Sequence, residues 1–217
     1  MSRLRRLGPV IASIALVCTT GALGLGLTAA ANTKAEGVLV NDRDTMQRTL
    51  AGLGKQYMLF SLKEGLDYAS SGTWQLTAGS PADQARLQAF VTHATFLDFG
   101  AAVVNLAGSP LETYSVGAPL PPPTDPGYGP MIKSLLAAQP DASSVMRAGS
   151  VPVVAMGVPI SVGGQTKAVF VGYSWLSPSP LETYVEHLHA GRTGRFYVVD
   201  SRGVVVAGTD PASVGTT

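Results

Sequence analysis

Residues 8–31 carry no charged side chain, and positions 10–27 are apolar apart from Ser13, Cys18, Thr19, Thr20 and three glycines. At about 1.5 Å per helical residue, such a run crosses a hydrocarbon core roughly 30 Å thick. A transmembrane helix over residues 7–31 is one reading. A cleaved signal peptide is the other, since Ala29, Ala30 and Ala31 supply the small residues a signal peptidase needs. The run is longer than the roughly 7–15 residues of a signal core, which favours the retained helix. Either way, Arg3, Arg5 and Arg6 in the basic tail of residues 1–6 stay cytoplasmic, and the chain after residue 31 folds outside.

This placement changes the meaning of the charge. Three of the 15 basic side chains precede the apolar run, leaving 12 against 14 acidic ones, so no basic face remains for nucleic acid. Cys18 is the only cysteine, and Val17 before it is too large for a lipoprotein signal. Beyond the membrane, disulfides, thiolate zinc sites and cysteine nucleophiles are therefore excluded. Ala22, Gly26 and Ala30 recur every four residues. They form either a face for close approach of a second helix or the ordinary outcome of an alanine-rich segment.

From residue 33 to 68 there is no proline, and Met46, Leu50, Leu53, Tyr57 and Phe60 are spaced 4, 3, 4, 3. That rhythm predicts a long helix over residues 32–70, seated in a bundle or coiled coil. Leu59, Leu62 and Leu66 add a second stripe for packing on a globular body. The helix is either a signalling stalk that meets a partner chain or an ordinary core helix. Ser80, Pro81 and Asp83 start a second helix carrying Leu87, Phe90 and Val91. Strand patterns follow over 99–104 and 111–116, joined at Asn105 and Gly108.

Six prolines between 119 and 130 mark a long surface loop before a short helix over 131–138. A valine-rich hairpin spans 151–175 about Gly163 and Gly164. Ser179 caps a connecting helix, and a last hairpin turns at Asp200, Ser201, Arg202 and Gly203. Val103-Val104-Asn105-Leu106-Ala107-Gly108 and Val198-Val199-Asp200-Ser201-Arg202-Gly203 share one scheme, two valines, Asn or Asp, two spacers and Gly. The hexapeptide Ser-Pro-Leu-Glu-Thr-Tyr also occurs twice, at 109–114 and 179–184. The first copy falls in a strand context and the second at a helix start, so it reads as coincidence. Antiparallel strands with helices grouped to one side give an α+β fold.

Catalytic groups are sparse. His187 and His189 are two apart and point away from each other on a helix, so they do not share a metal. No Gly-x-Ser-x-Gly elbow, His-Glu-x-x-His pair or phosphate-binding glycine loop occurs. The chain is expected to be no enzyme, with no metal and no cofactor.

The basic tail and apolar run, the long helix, the hairpin at Asn105 and Gly108, the loop Asp125-Pro126-Gly127-Tyr128 and the strand pair about Gly163 and Gly164 together resemble the double Cache sensor domains. These are PAS-like extracellular modules of bacterial membrane receptors. The resemblance implies a membrane-distal sensor module over 71–178, a connecting helix over 179–192 and, over 193–217, the start of a second PAS-like module truncated at Thr217. The alternative is that the last hairpin completes the first sheet.

The resemblance also implies a small-molecule pocket between the sheet and the loop and short helix that cover it. Its lining would be Tyr114, Tyr128, Met131, Arg147, Tyr173 and Trp175, with Met156, and Arg147 would suit a small anion or zwitterion. Equally, Tyr173 and Trp175 alternate with Val171 along one strand as simple core residues. The Arg-x-Trp-Tyr signature of amino-acid-binding members is absent around Tyr128, so amino acids are not the favoured ligand and a non-binding module stays open. The implied role is extracellular sensing for a receptor whose output region, a diguanylate cyclase, histidine kinase or chemoreceptor signalling region, lies beyond Thr217. The implied partners are the membrane and a second copy, joined through the transmembrane and stalk helices. A free-standing secreted or anchored ligand-binding protein is the other reading.

Overall fold

A computed structural model describes residues 33–187 and 195–217. The predicted membrane run with Cys18, its small-residue face and His189 lie outside the described residues. Among those described, no helix is long and apolar enough to cross a membrane.

Helix α1 (Thr33–Ser70) has 38 residues, about 57 Å at the α-helical rise. Helix α2 (Pro81–His93) begins as its sequence predicts. The Ser80 side chain accepts the Asp83 N–H, and Pro81 occupies a position where a missing N–H costs nothing. Strands β1 (Gly100–Asn105) and β2 (Pro110–Ser115) follow, then a 3-10 turn (Pro126–Tyr128) running into α3 (Gly129–Leu136). Next come β3 (Asp141–Ala142), β4 (Met146–Ala148), β5 (Val151–Val162) and β6 (Gln165–Trp175). Helix α4 (Pro180–Glu186) leads to β7 (Tyr197–Val199) and β8 (Val205–Gly208).

Strands β2, β1, β6, β5 and β3 form one antiparallel sheet in that order, with β4 also on β5. Alternation sorts its side chains. Ala101, Val103, Val154, Met156, Val158, Ala168 and Phe170 face the layer of α1 and α2, joined there by Leu62, Leu87 and Phe90. Ala102, Val153, Ala155, Val169, Val171 and Tyr173 face the other way, under Tyr128, Met131 and Leu135. The architecture is α+β with an antiparallel sheet, as expected. The two short strands β3 and β4 carry no pattern long enough to read from sequence.

Side chains tie the helical layer together. Glu64 on α1 accepts the backbone N–H groups of Thr95, Phe96 and Leu97 at 2.7, 3.0 and 3.0 Å, ending the chain's exit from α2. The Asp83 carboxylate takes the N–H groups of Gln75 and Leu76. The Arg86 guanidinium lies 4.5 Å from the Trp74 ring centre, a cation–π contact across the α1–α2 connection.

The last hairpin does not complete the first sheet. Among the described residues β7 and β8 form a separate two-stranded sheet and do not join the first, which corrects that alternative. Their apolar residues Val198 and Ala207 join Phe196, Leu181, Val185 and, from α1, Leu50, which is 1% exposed. The α1 stripe read as a seam for a partner chain is thus filled inside the chain at Leu50, whereas Phe60 stays 53% exposed. Leu50 and Leu53 meet α4 and the hairpin, while Tyr57 and Phe60 pack on Phe96 at ring-centre distances of 5.6 and 5.9 Å. Periodicity shows which stripe a helix buries and is silent on what covers it.

The two Val-Val-Asx repeats fold alike. Asn105 Oδ1 accepts the N–H groups of Ala107 and Ser109 at 3.0 and 2.9 Å, and Asp200 Oδ1 those of Arg202 and Val204 at 2.8 and 3.0 Å. Each turn closes at a left-handed glycine, Gly108 at φ 85° and Gly203 at φ 80°. The repeated hexapeptide, by contrast, is strand in β2 and helix in α4.

Replacing Glu64 by Ala orphans three N–H groups at the α2 exit. The expected loss is about 2–4 kcal/mol of stability, read as a fall in the urea midpoint at unchanged slope.

Candidate functional site

The sheet face away from α1 is covered by a short chain path that begins at Asp125. Asp125 Oδ1 accepts the Gly127 N–H at 2.7 Å and starts the turn that delivers Tyr128 onto the sheet. Helix α3 continues at once and seats Met131 and Leu135 over the strands. Its far end is held by Asp141, which accepts the Ser134 hydroxyl at 2.6 Å and the Ala142 N–H at 2.8 Å. Gly157 on β5 makes room for α3. A Cβ there would stand 2.6 Å from Leu135 Cδ1.

At the centre of the covered face the hydroxyls of Tyr128 and Tyr173 meet at 2.8 Å, and Tyr128 also donates to the Pro121 carbonyl at 3.2 Å. The two rings are nearly perpendicular, with centres 6.5 Å apart. Trp175 stands further along β6, edge-on to Phe99 at 4.7 Å. Burial pushes the Tyr128 hydroxyl up to about 12, its bond to Tyr173 opposing part of that rise. Tyr173 is raised well above the ordinary phenol value by burial, and by Tyr128 beside it. Both phenols are neutral at physiological pH. They lie in a cluster with Phe99, Met131, Leu135, Met146 and aliphatic strand residues.

Of the six residues expected to line a pocket, four come together here: Tyr128, Met131, Tyr173 and Trp175. Tyr114 does not. It pairs with Ala101 on the face toward α1 and α2 and packs there beside Leu111. Met156 also faces that layer. Arg147 is the outward residue of β4 between buried Met146 and Ala148, and its guanidinium donates to the carbonyls of Ser150 and Gly215 at 3.2 and 2.9 Å. It supplies no cation to the covered face, so the expected preference for an anion loses the group it rested on. Phe99, Met146 and the Pro121 carbonyl belong to the cluster and were not expected. Strand parity would have put Phe99 with Ala101 and Val103 on the face toward α1 and α2, but it lies just before β1 begins and joins the other face.

A groove of about 690 Å3 lies elsewhere, between α1 and α2, lined by Phe60, Tyr68, Phe90, His93 and Phe96 among others. It is wide open, and Phe60 on its wall is 53% exposed. Among the described residues no three His, Cys, Asp or Glu side chains cluster as for a metal ion. The His187 Nδ1 lies 2.6 Å from the Thr183 carbonyl one helical turn back.

No protein-family profile matches the sequence, and no curated protein matches it. Solved structures do match. The ligand-binding domain of the Pseudomonas fluorescens chemoreceptor CtaA, in complex with L-isoleucine, superposes with a TM-score of 0.56 over 84% of this chain and 73% of its own, at 16% identity. The ligand-binding domain of the Pseudomonas aeruginosa amino acid chemoreceptor PctC, with GABA, gives 0.55 over 82% and 77% at 18% identity. A Campylobacter jejuni chemoreceptor ligand-binding domain, with L-valine, gives 0.57 over 84% and 75% at 12% identity. The chain thus shares the fold of these ligand-binding domains of bacterial chemoreceptors.

Proposed function

We propose that the chain is the extracytoplasmic small-molecule sensing region of a membrane signalling receptor, and that it is not an enzyme. The observation that carries the reading is the phenol pair Tyr128–Tyr173, buried between the sheet and a cover of one 3-10 turn and one short helix. In this reading residues 7–31 anchor the chain in the membrane. Residues 71–178 form the membrane-distal sensor module, 179–192 the connecting helix, and 193–217 the opening of a second module. Output passes to a region beyond Thr217, and a second copy pairs through the membrane helix and the exposed side of α1.

The ligand is a small, uncharged molecule that takes over the hydrogen bond now joining the two phenols. The solved neighbours were crystallised with amino acids or GABA, which carry charged ends. Here Tyr128, Met131, Tyr173 and Trp175 offer two hydroxyls, an indole N–H and apolar surface, and no charged group. The carboxylates on the cover are already used, Asp125 by Gly127 and Asp141 by Ser134 and Ala142. A buried charge without a partner costs several kcal/mol, more than a ligand of this size readily recovers.

In thermal unfolding of the full chain in detergent, benzyl alcohol or cyclohexanone is expected to raise the midpoint in a saturable manner, and L-isoleucine or GABA to leave it unchanged. Tyr173→Phe should weaken the uncharged probe about three- to tenfold, the worth of one neutral hydrogen bond. Absence of a midpoint shift with every probe of both kinds would remove the sensing reading.

The phenols also set a pH dependence. Their folded values lie above the unfolded value of 10.0. Above pH 10 the unfolded chain therefore binds fewer protons than the folded one, and stability falls as pH rises. Stability measured by urea should hold below pH 10 and drop from there through about pH 12. Tyr173→Phe should flatten the drop.

A further inference from the structure

The turns at Asn105 and Asp200 differ in one atom that matters. Each needs one side-chain oxygen to accept two backbone N–H groups, and Asn105 supplies this with its amide oxygen. Asp200 supplies it with Oδ1 and has a second acceptor, Oδ2, which takes the Val145 N–H at 3.0 Å. Only an aspartate accepts on both sides. Arg202, from the same turn, donates through Nη2 to the Val145 carbonyl and keeps its Nε 3.6 Å from Asp200 Oδ2. The Asp200 side chain is 10% exposed. Both main-chain groups of Val145, which lies in the chain path of the first sheet, are thus held by the hairpin β7–β8.

Val145 sits in a segment with two edges. Ser143 is fixed to β5, its N–H donating to the Ala155 carbonyl and its hydroxyl oxygen accepting the Ala155 N–H, both at 2.8 Å. Ser144 donates its N–H to the Gly127 carbonyl at 3.0 Å, and Met146 lies so close to Gly127 that a Cβ there would be 2.3 Å from Met146 Cγ. Successive residues of an extended chain point to opposite sides. Ser144 and Met146 therefore hold the cover of the phenol pair, while Val145 and Arg147 hold the C-terminal part, Arg147 through the Gly215 carbonyl.

We propose that Asp200 and Arg202 are positioning residues for the candidate site: from the C-terminal hairpin they fix Val145, and through Ser144 and Met146 they set the seat of Gly127 and Tyr128. The coupling is a property of the chain itself, and its meaning as a relay rests on the sensing reading above. A displacement of the cover moves the segment 143–146 and with it the hairpin. By linkage, a change at the hairpin alters the cover to the same extent.

Backbone amide exchange of the full chain in detergent, without added ligand, tests this. Asp200→Asn keeps the Oδ1-type acceptor of the turn but sets an amide NH2 against the Val145 N–H. Arg202→Met removes the donor and keeps the stem. Each is expected to speed exchange about tenfold at Val145 and over residues 125–131, with amides of β1 and β6 unchanged. Arg202→Lys should restore part of the protection, and Ser201→Ala, an exposed change in the same turn, should alter nothing outside it. Faster exchange confined to residues 195–217, or a uniform rise across β1 and β6 in step with a lowered urea midpoint, overturns the proposal. The small-molecule titrations stand apart from this outcome. Failure of every probe there removes the sensing role and leaves the coupling, and a bound probe with an unaltered cover in Asp200→Asn does the reverse.

Discussion

The hairpin of β5 and β6 carries both layers of the molecule, and two of its glycines fix how closely each layer approaches. Gly172 faces α1 and α2, where a Cβ would stand 2.5 Å from Leu97 Cδ1. Gly157 faces the cover, where a Cβ would stand 2.6 Å from Leu135 Cδ1. In the register Gly157 pairs with Val171 and Gly172 with Met156, so the hollow on one face lies one residue pair from the hollow on the other. A leucine fills each. The helical layer and the cover are seated at neighbouring points of one rigid strand pair, and packing at core density leaves little room to shift either without disturbing the sheet between them.

Much of this was legible before any coordinates. Valine-rich runs on either side of Gly163 and Gly164 specify the central hairpin, the Ser-Pro starts specify α2 and α4, and the Val-Val-Asx scheme specifies two equal turns. These signals are local, and local chemistry decides them. Facing was harder. Tyr114 and Tyr173 both sit on strands that pair with β1, yet Tyr114 pairs with Ala101 and Tyr173 with Gly100, so they emerge on opposite faces. A shift of one residue reverses every side chain of a strand, and nothing in the sequence near Tyr114 fixes that register against β1. Arg147 shows the same limit, since β4 has three residues and no alternation to read. The hexapeptide shared by β2 and α4 marks the boundary of local information. Its proline opens a helix at Pro180 under the Ser179 cap, whereas at Pro110 the Asn105 turn and pairing with β1 hold the same residues extended.

The covered face inverts the electrostatics that sequence inspection favoured. An arginine among aromatics reads as a fork for a carboxylate, but Arg147 fastens β4 to the following turn and to the C-terminal segment at Gly215. What remains at the centre is a pair of neutral phenols bonded to each other, and burial holds them neutral. In the proposed sensing role, such a face would discriminate by exclusion, since a fully charged ligand meets two phenol dipoles and no counter-ion.

Helix α1 gives the hairpin β7–β8 a second attachment, and the pair of attachments limits how it moves. Leu50 and Leu53 hold the hairpin's apolar side against the helix, while Leu62 and Ala69, several turns on, lie in the core under the first sheet. At its turn the hairpin is gripped by Val145 through Asp200 and Arg202. The first contact is apolar and permits small sliding. The second is directional, with two polar bonds to one residue, and tolerates little.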